Sequence, residues 1–368
     1  MNRIFLVLSI IFIYSIAFGQ SPDYGKIAKY VTQTPAGVVN STSSLSKYLV
    51  KPYDNEISKF ASIYYWVARN IRYNDEMAKN PILYFEVKEI VDDVMRTKSG
   101  VCQHFAELVA ELSQLAGLKV YVVDGYTKEN GKLVNLSHAW NVVEISGKLY
   151  ISDATWANAL IKSRKNNDFP ETYFLMEGEE AIESHMPFDP IWQLLNSPLS
   201  YDAFDGTKTK QDIWGYFAYN DSISNYTRLD FIGKQRATIG RMTRNGTYNP
   251  VVKKEFNLKQ SNLKTALNNI EILRFNEGIK EYNEGMSFVN QYIRLKNKGF
   301  KDKKYNKQNI LALFDSAEVH LTKAELLFNN VKTDDVKVKN QIKTSFSTLN
   351  DVTKMIERER EYIRKNMK

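Results

Sequence analysis

Three residues of this chain have the types and order to do nucleophilic chemistry together: Cys102, His138 and Asp153. A cysteine attacks as thiolate, so its surroundings must favour loss of a proton whose ordinary pKa is about 8.5. Thr97-Lys98-Ser99-Gly100 breaks the pattern just ahead of an amphipathic run from Val101 to Ala116. That order predicts a helix with Cys102 in its first turn, where unpaired backbone N–H groups and the positive helix end favour an anion. The same turn can present a backbone donor to the oxyanion that forms when a carbonyl is attacked. A base has to come from another element. His138 opens the strand-like run Ala139-Trp140-Asn141, and its ring needs an acceptor to fix tautomer and orientation. Asp153 closes the following strand-like run.

The spacing between these last two is informative. With Ser146-Gly147 as the two central residues of a hairpin turn, Ile145 pairs with Lys148. His138 then faces Thr155, Trp140 faces Asp153, and His138 and Asp153 become diagonal neighbours on one face. A slip of one residue would separate them onto opposite faces. The other histidines have weaker claims. His104 is expected to point off the helix face that carries Cys102, and His185 and His320 stand isolated in the sequence. Cys102, His104, His138 and Asp153 lack a compact ligand motif, so no metal is assigned.

Positioning the trio requires a scaffold of helices and strands. Ile57, Phe60, Ala61, Tyr64, Val67, Ala68 and Ile71 recur at three- and four-residue steps and predict a helix over 56–72. Val87–Met95 reads as a short helix. Phe105, Leu108, Val109, Leu112, Leu115 and Ala116 form the stripe of the Cys102 helix, which Gly117 stops. Beyond it, Val120–Val123 reads as a strand, Asn130-Gly131 as an exposed turn, and 139–145 with 148–152 as an antiparallel pair. Helix followed by sheet gives an α+β reading. Three long helical segments, near 260–297, 306–329 and 335–364, follow a region over 213–250 that has no clear pattern. Residues 20–50, rich in Ser, Thr, Pro and Gly, read as an extended lead-in.

Composition narrows the setting. The chain has 368 residues, 43% of them apolar, and a single cysteine, so no disulfide can form within it. Arg3, the apolar run Ile4–Phe18 and the small residues Ala17 and Gly19 read as a signal peptide cut before Gln20. This predicts an exported protein, periplasmic, secreted or at the cell surface, with no membrane span once the signal is removed. Residues 251–368 hold 24 Lys/Arg against 15 Asp/Glu, so the positive charge lies away from the trio. That region suits an envelope protein or an anionic surface as partner. No basic groove interleaved with aromatics points to nucleic acid.

Several segments carry a family resemblance. They are Trp66-Val67-Ala68-Arg69-Asn70-Ile71-Arg72-Tyr73, Gly100-Val101-Cys102-Gln103, Ser137-His138-Ala139-Trp140-Asn141, then Gly147, Tyr150 and Asp153-Ala154-Thr155-Trp156. Downstream comes His185-Met186-Pro187-Phe188-Asp189-Pro190-Ile191-Trp192-Gln193-Leu194-Leu195. In this order, over residues 50–200, they resemble the transglutaminase-like superfamily of papain-fold proteins, especially exported bacterial members. The resemblance implies Cys102 as nucleophile, His138 as general base and acid, and Asp153 as its orienter. Gln103 and Tyr73 become oxyanion candidates, and Trp140, Asn141, Thr155 and Trp156 supporting residues. It implies no cofactor. The implied reaction is attack on a peptide or protein amide through a Cys acyl-enzyme. Water as acceptor gives a peptidase or amidase, an amine a crosslinking transglutaminase. A non-catalytic binding or envelope scaffold on the same fold is the alternative. The expected order is a signal peptide over 1–19, the lead-in over 20–50 and a transglutaminase-like domain over 51–204. A connecting region over 205–250 and a helical domain over 251–368 complete it.

Overall fold

The computed structural model describes residues 22–164, 168–207, 214–246, 249–301, 305–333 and 335–367. The expected signal segment lies outside them, as does part of the polar interval after Asp205. The chain divides into two compact units: Met1–Arg228 with Gly240–Glu255, and Leu229–Ile239 with Phe256–Lys368. An α+β N-terminal region is followed by a mostly α-helical C-terminal region.

In the first unit, α1 (Tyr24–Thr32) and α2 (Thr42–Val50) come first. These overturn the extended lead-in expected over 20–50. Polar residues of this stretch serve as helix caps: Asp23 accepts from Lys26 N–H and Ser41 from Ser44 N–H. Ser46 donates to the Leu112 carbonyl at 2.7 Å. Ile27, Val31, Leu45 and Leu49 are buried in the same core as the next helix.

That helix, α3 (Glu56–Asn70), leads into β1 (Arg72–Tyr73), and then come α4 (Asp75–Lys79), α5 (Val87–Thr97), β2 (Ser99–Gly100) and α6 (Cys102–Leu115). β1 and β2 pair in parallel, with Tyr73 opposite Gly100. This pairing sets Tyr73 beside the residues that lead into Cys102. Helix α6 ends as expected, with Gly117 at φ +80°.

The sheet consists of β3 (Val120–Glu129), β4 (Lys132–Ile145), β5 (Lys148–Ser152) and β6, with α7 (Ala154–Arg164) and α8 (Gly178–Ala181) preceding β6 (His185–Pro187). Its order is β5-β4-β3-β6. Ile145 pairs with Lys148, as the turn residues require, and Ser146 and Gly147 both have positive φ. β3 and β4 run further than their apolar patterns indicate, meeting at Asn130-Gly131.

One face of the sheet packs through Val120, Val143 and Ile145 on the core of α3 and α6. The other packs through Val123, Trp140, Val142 and Ile151 on Met176, Ile191 and Trp192. Trp140 fits there because Gly125, opposite His138 in β3, has no side chain: a Cβ at 125 would lie 2.3 Å from the indole. A short helix α9 (Tyr201–Asp205) follows, and α10 (Tyr219–Thr227) and α11 (Phe231–Arg244) occupy much of the 213–250 region that had no clear pattern.

The second unit takes most of α12 (Pro250–Asn297), all of α13 (Lys307–Asn329) and α14 (Val336–Asn366). Tyr292, Phe314, Leu321, Phe328, Leu349 and Ile356 form its core. Gly278 and Gly285, one heptad apart, lie directly under Phe328 and Leu321, so α12 and α13 approach closely. No helix among the described residues is long and apolar enough to cross a membrane.

Candidate active site

Cys102 is the first residue of α6, and no side-chain oxygen caps that helix. Its opening amides are therefore available to a ligand. His104 Nδ1 accepts from Val101 N–H at 3.4 Å. His104 turns away from the Cys102 cleft, as expected, but into the protein rather than to solvent. It is 1% exposed, with Nε2 3.1 Å from the Tyr84 hydroxyl, which itself donates to Asp93 Oδ2 at 2.9 Å. Polar partners from α5 and the preceding loop draw the ring inward. Burial lowers the His104 imidazole from its ordinary value, against the pull of Asp93.

His138 lies on β4 and Asp153 just past β5, with His138 Nε2 at 2.8 Å from Asp153 Oδ2. The contact follows the expected register, but the ladder does not continue past Asn141–Ser152. Asp153 leaves the strand to cap α7, its Oδ1 accepting from Thr155 N–H at 2.8 Å and Trp156 N–H at 3.1 Å. Thr155 is thus a helical residue and does not face His138 across a ladder. Capping wins because an Asp at this position satisfies two amides that a further strand pair would leave open.

Asn141 ties this strand to the helix of the thiol, donating to the Ala106 carbonyl at 2.9 Å. Trp140 and Trp156 enclose the imidazole, with ring centroids 6.0 and 5.9 Å from that of His138. Burial pushes the His138 imidazole down. The Asp153 charge and hydrogen bond, joined by the Cys102 thiol, outweigh it and raise His138 to about 10. Burial likewise pushes the Asp153 carboxyl up, but His138 and His185 hold it well below the usual carboxylate range.

Cys102, His138, Tyr73, Thr155 and Trp156 line one cleft of about 420 Å³. Tyr73 is half-buried there, its hydroxyl raised by burial and then by the neighbouring Cys102. Gln103 is exposed and does not line this cleft.

His185 is the residue that sequence reasoning missed. Far from isolated, it is 1% exposed on β6 and sets Nε2 3.2 Å from Asp153 Oδ2. His138, Asp153 and His185 offer nitrogen and oxygen atoms within 4.8 Å of one another, the one such group of three or more potential metal ligands among the described residues. Cys102 is not a member of that group. The signal for His185 was its place at the head of the His185–Leu195 segment. Nothing local to it announced a partner in Asp153.

Residues 40–165 match the family described as transglutaminase-like domain. Over that stretch the chain is similar to transglutaminase-like domains. A human protein named kyphoscoliosis peptidase is 28% identical over 199 residues, which are 50% of this chain and 28% of that one. Cytokinesis protein 3 of Schizosaccharomyces pombe is 28% identical over 177 residues, 45% of this chain and 19% of that one. The chain thus spans under a third of either relative. A solved structure of a TGase is 18% identical, with 39% of this chain and 35% of that one covered, at a TM-score of 0.25.

Proposed function

We propose that the transglutaminase-like domain is a thiol-dependent acyl-transfer enzyme acting on a peptide or protein amide. The observation that carries this reading is the position of His138, which engages Asp153 through Nε2 and is raised by the Cys102 thiol within one cleft. Cys102 sulfur, as the thiolate paired with a His138 imidazolium that holds its proton, attacks the amide carbonyl. The C–N bond then breaks, the leaving amine takes that proton, and a thioester stays on the enzyme. Water, deprotonated by His138, releases the carboxylic acid and restores the thiol. The Cys102 amide and the Tyr73 hydroxyl are the donors proposed for the oxyanion. Asp153, buried and hydrogen-bonded, keeps the imidazole oriented throughout.

The peptidase name of the human relative supports hydrolysis over crosslinking. Export to the periplasm or cell surface rests on the apolar N-terminal run. The positive balance of residues 251–368 supports contact with an anionic surface or envelope protein.

The test is alkylation of Cys102 by iodoacetamide near neutral pH. Replacing His138 with Ala should slow it by about 100-fold, the lower end for a positioned base, with the fold intact by circular dichroism. Equal rates in the two proteins would sink the assignment of Cys102 as an activated nucleophile.

A further inference from the structure

Asp153 is an unusually complete acceptor. An ionised carboxylate has about four lone-pair positions. Here Oδ1 receives the amides of Thr155 and Trp156, and Oδ2 receives the imidazoles of His138 and His185. Asp153 and the His185 side chain are sealed from solvent, so water cannot replace a missing donor. His185 is placed for this by topology. β6 pairs with β3 at the sheet edge, Thr127 standing opposite His185. Trp156 and Trp140 pack on its ring, at centroid distances of 4.5 and 5.1 Å.

The hydrogen bonds define its protonation. Burial holds the His185 imidazole below its ordinary value, which favours the neutral ring with one proton. Its Nε2 faces an ionised carboxylate oxygen at 3.2 Å and must be the donor. Nδ1 is then the acceptor for the Ser184 hydroxyl, 2.8 Å away. The proton order runs from Ser184 through His185 to Asp153, where it meets the donor from His138.

We propose that His185 is a positioning residue for the acyl-transfer site, a neutral second donor that fixes the orientation of Asp153 and shares its charge with His138. The two imidazoles compete for one oxygen. With His185 in place, Oδ2 is a weaker acceptor for His138 than an unshared carboxylate would be. The His138 imidazolium is thereby kept a good enough acid to protonate a leaving amine. This role rests on the acyl-transfer reading, while its hydrogen-bond pattern does not.

The titratable groups facing His185 are Asp153, His138 and Tyr173, whose ring centroid lies 6.3 Å away. Their titrations have to be followed together. The experiment uses the full chain with ¹⁵N-labelled histidine, wild type alongside His185→Phe and His185→Gln. Imidazole nitrogen shifts assign each tautomer, and the pH dependence of Cys102 alkylation is recorded on the same samples. In the wild type His185 should show the neutral Nε2–H tautomer at neutral and alkaline pH. In His185→Phe the His138 midpoint and the alkaline limb of alkylation should both move up, by about half a pH unit or more. His185→Gln keeps an N–H donor in reach of Oδ2 and should return both toward the wild-type values.

A wild-type His185 protonated on Nδ1, or cationic at neutral pH, would overturn the proposal even if neither variant folds. So would a Phe variant that folds but leaves both midpoints in place, or Phe and Gln variants that behave alike. Slow wild-type alkylation alongside the expected tautomer would instead count against the acyl chemistry and support the His185 hydrogen-bond assignment.

Discussion

Both units bury carboxylates, and they treat them differently. In the first, Asp153 is shared by two imidazoles, one of which has no exposed side-chain surface. In the second, Glu359 is 7% exposed and accepts from Tyr292 and Lys296, each at 2.6 Å. Glu281 likewise accepts from His320 at 2.7 Å and from Lys323, so His320 is not isolated. The partners differ in their access to water. Lys296 and Lys323 keep 45% and 55% of their side chains exposed and can turn to solvent if the acid is lost. His185 has no such escape. A buried carboxylate can thus link two helices through retractable cations, or hold a reactive imidazole among groups that cannot leave.

This contrast sets an order of effects. Every tryptophan of the chain, from Trp66 to Trp214, lies in the first unit, so fluorescence reports on that unit alone. The largest effect is expected for Asp153→Ala, which strands two buried imidazoles and uncaps α7. It should cost the fluorescence-detected unfolding about 3–5 kcal/mol in urea, the range for breaking a buried pair on one side. A cost as small as that of a surface substitution would break the comparison.

The next effect is one of pH. The folded His138 imidazole is raised above its ordinary value of 6.5 to about 10. Its contribution is fully present below about pH 6.5 and is lost as pH rises through about 10. Urea midpoints of the first unit should fall over that window, more steeply in the wild type than in His138→Gln. Parallel slopes would remove the coupling to Asp153. The smallest effect is expected for Glu359→Ala, about 1–2 kcal/mol in the helical signal of the second unit, because Lys296 can rehydrate. A loss equal to that of Asp153→Ala would erase the distinction between the two kinds of site.

Legibility in the sequence followed the same physics. The helices α3 and α6 and the three long C-terminal helices were readable because apolar residues recur with the helical period over many turns. The β4–β5 turn was readable because Ser146-Gly147 supplies two residues at positive φ. The ends of β3 and β4 were not, since Lys128, Glu129 and Lys132–Ser137 carry no apolar alternation. Nor were α1 and α2, whose caps have the composition of a loop. Of the candidate site, the His138–Asp153 contact followed from a hairpin register. His185 did not, because its partner is reached through β3–β6 pairing across most of the domain. The burial of His104 was not legible because the partners that draw it inward, Tyr84 and Asp93, belong to other elements.

The sheet order also bears on how the domain is made. β6 is last in the chain yet lies beside β3, the first strand of its sheet. During synthesis, Cys102, His138 and Asp153 leave the ribosome before the strand that seals Asp153. A nascent chain stalled ahead of residue 185 would hold its thiol and imidazole with an incompletely saturated carboxylate. The order of translation therefore delays completion of the site until the domain can close around it.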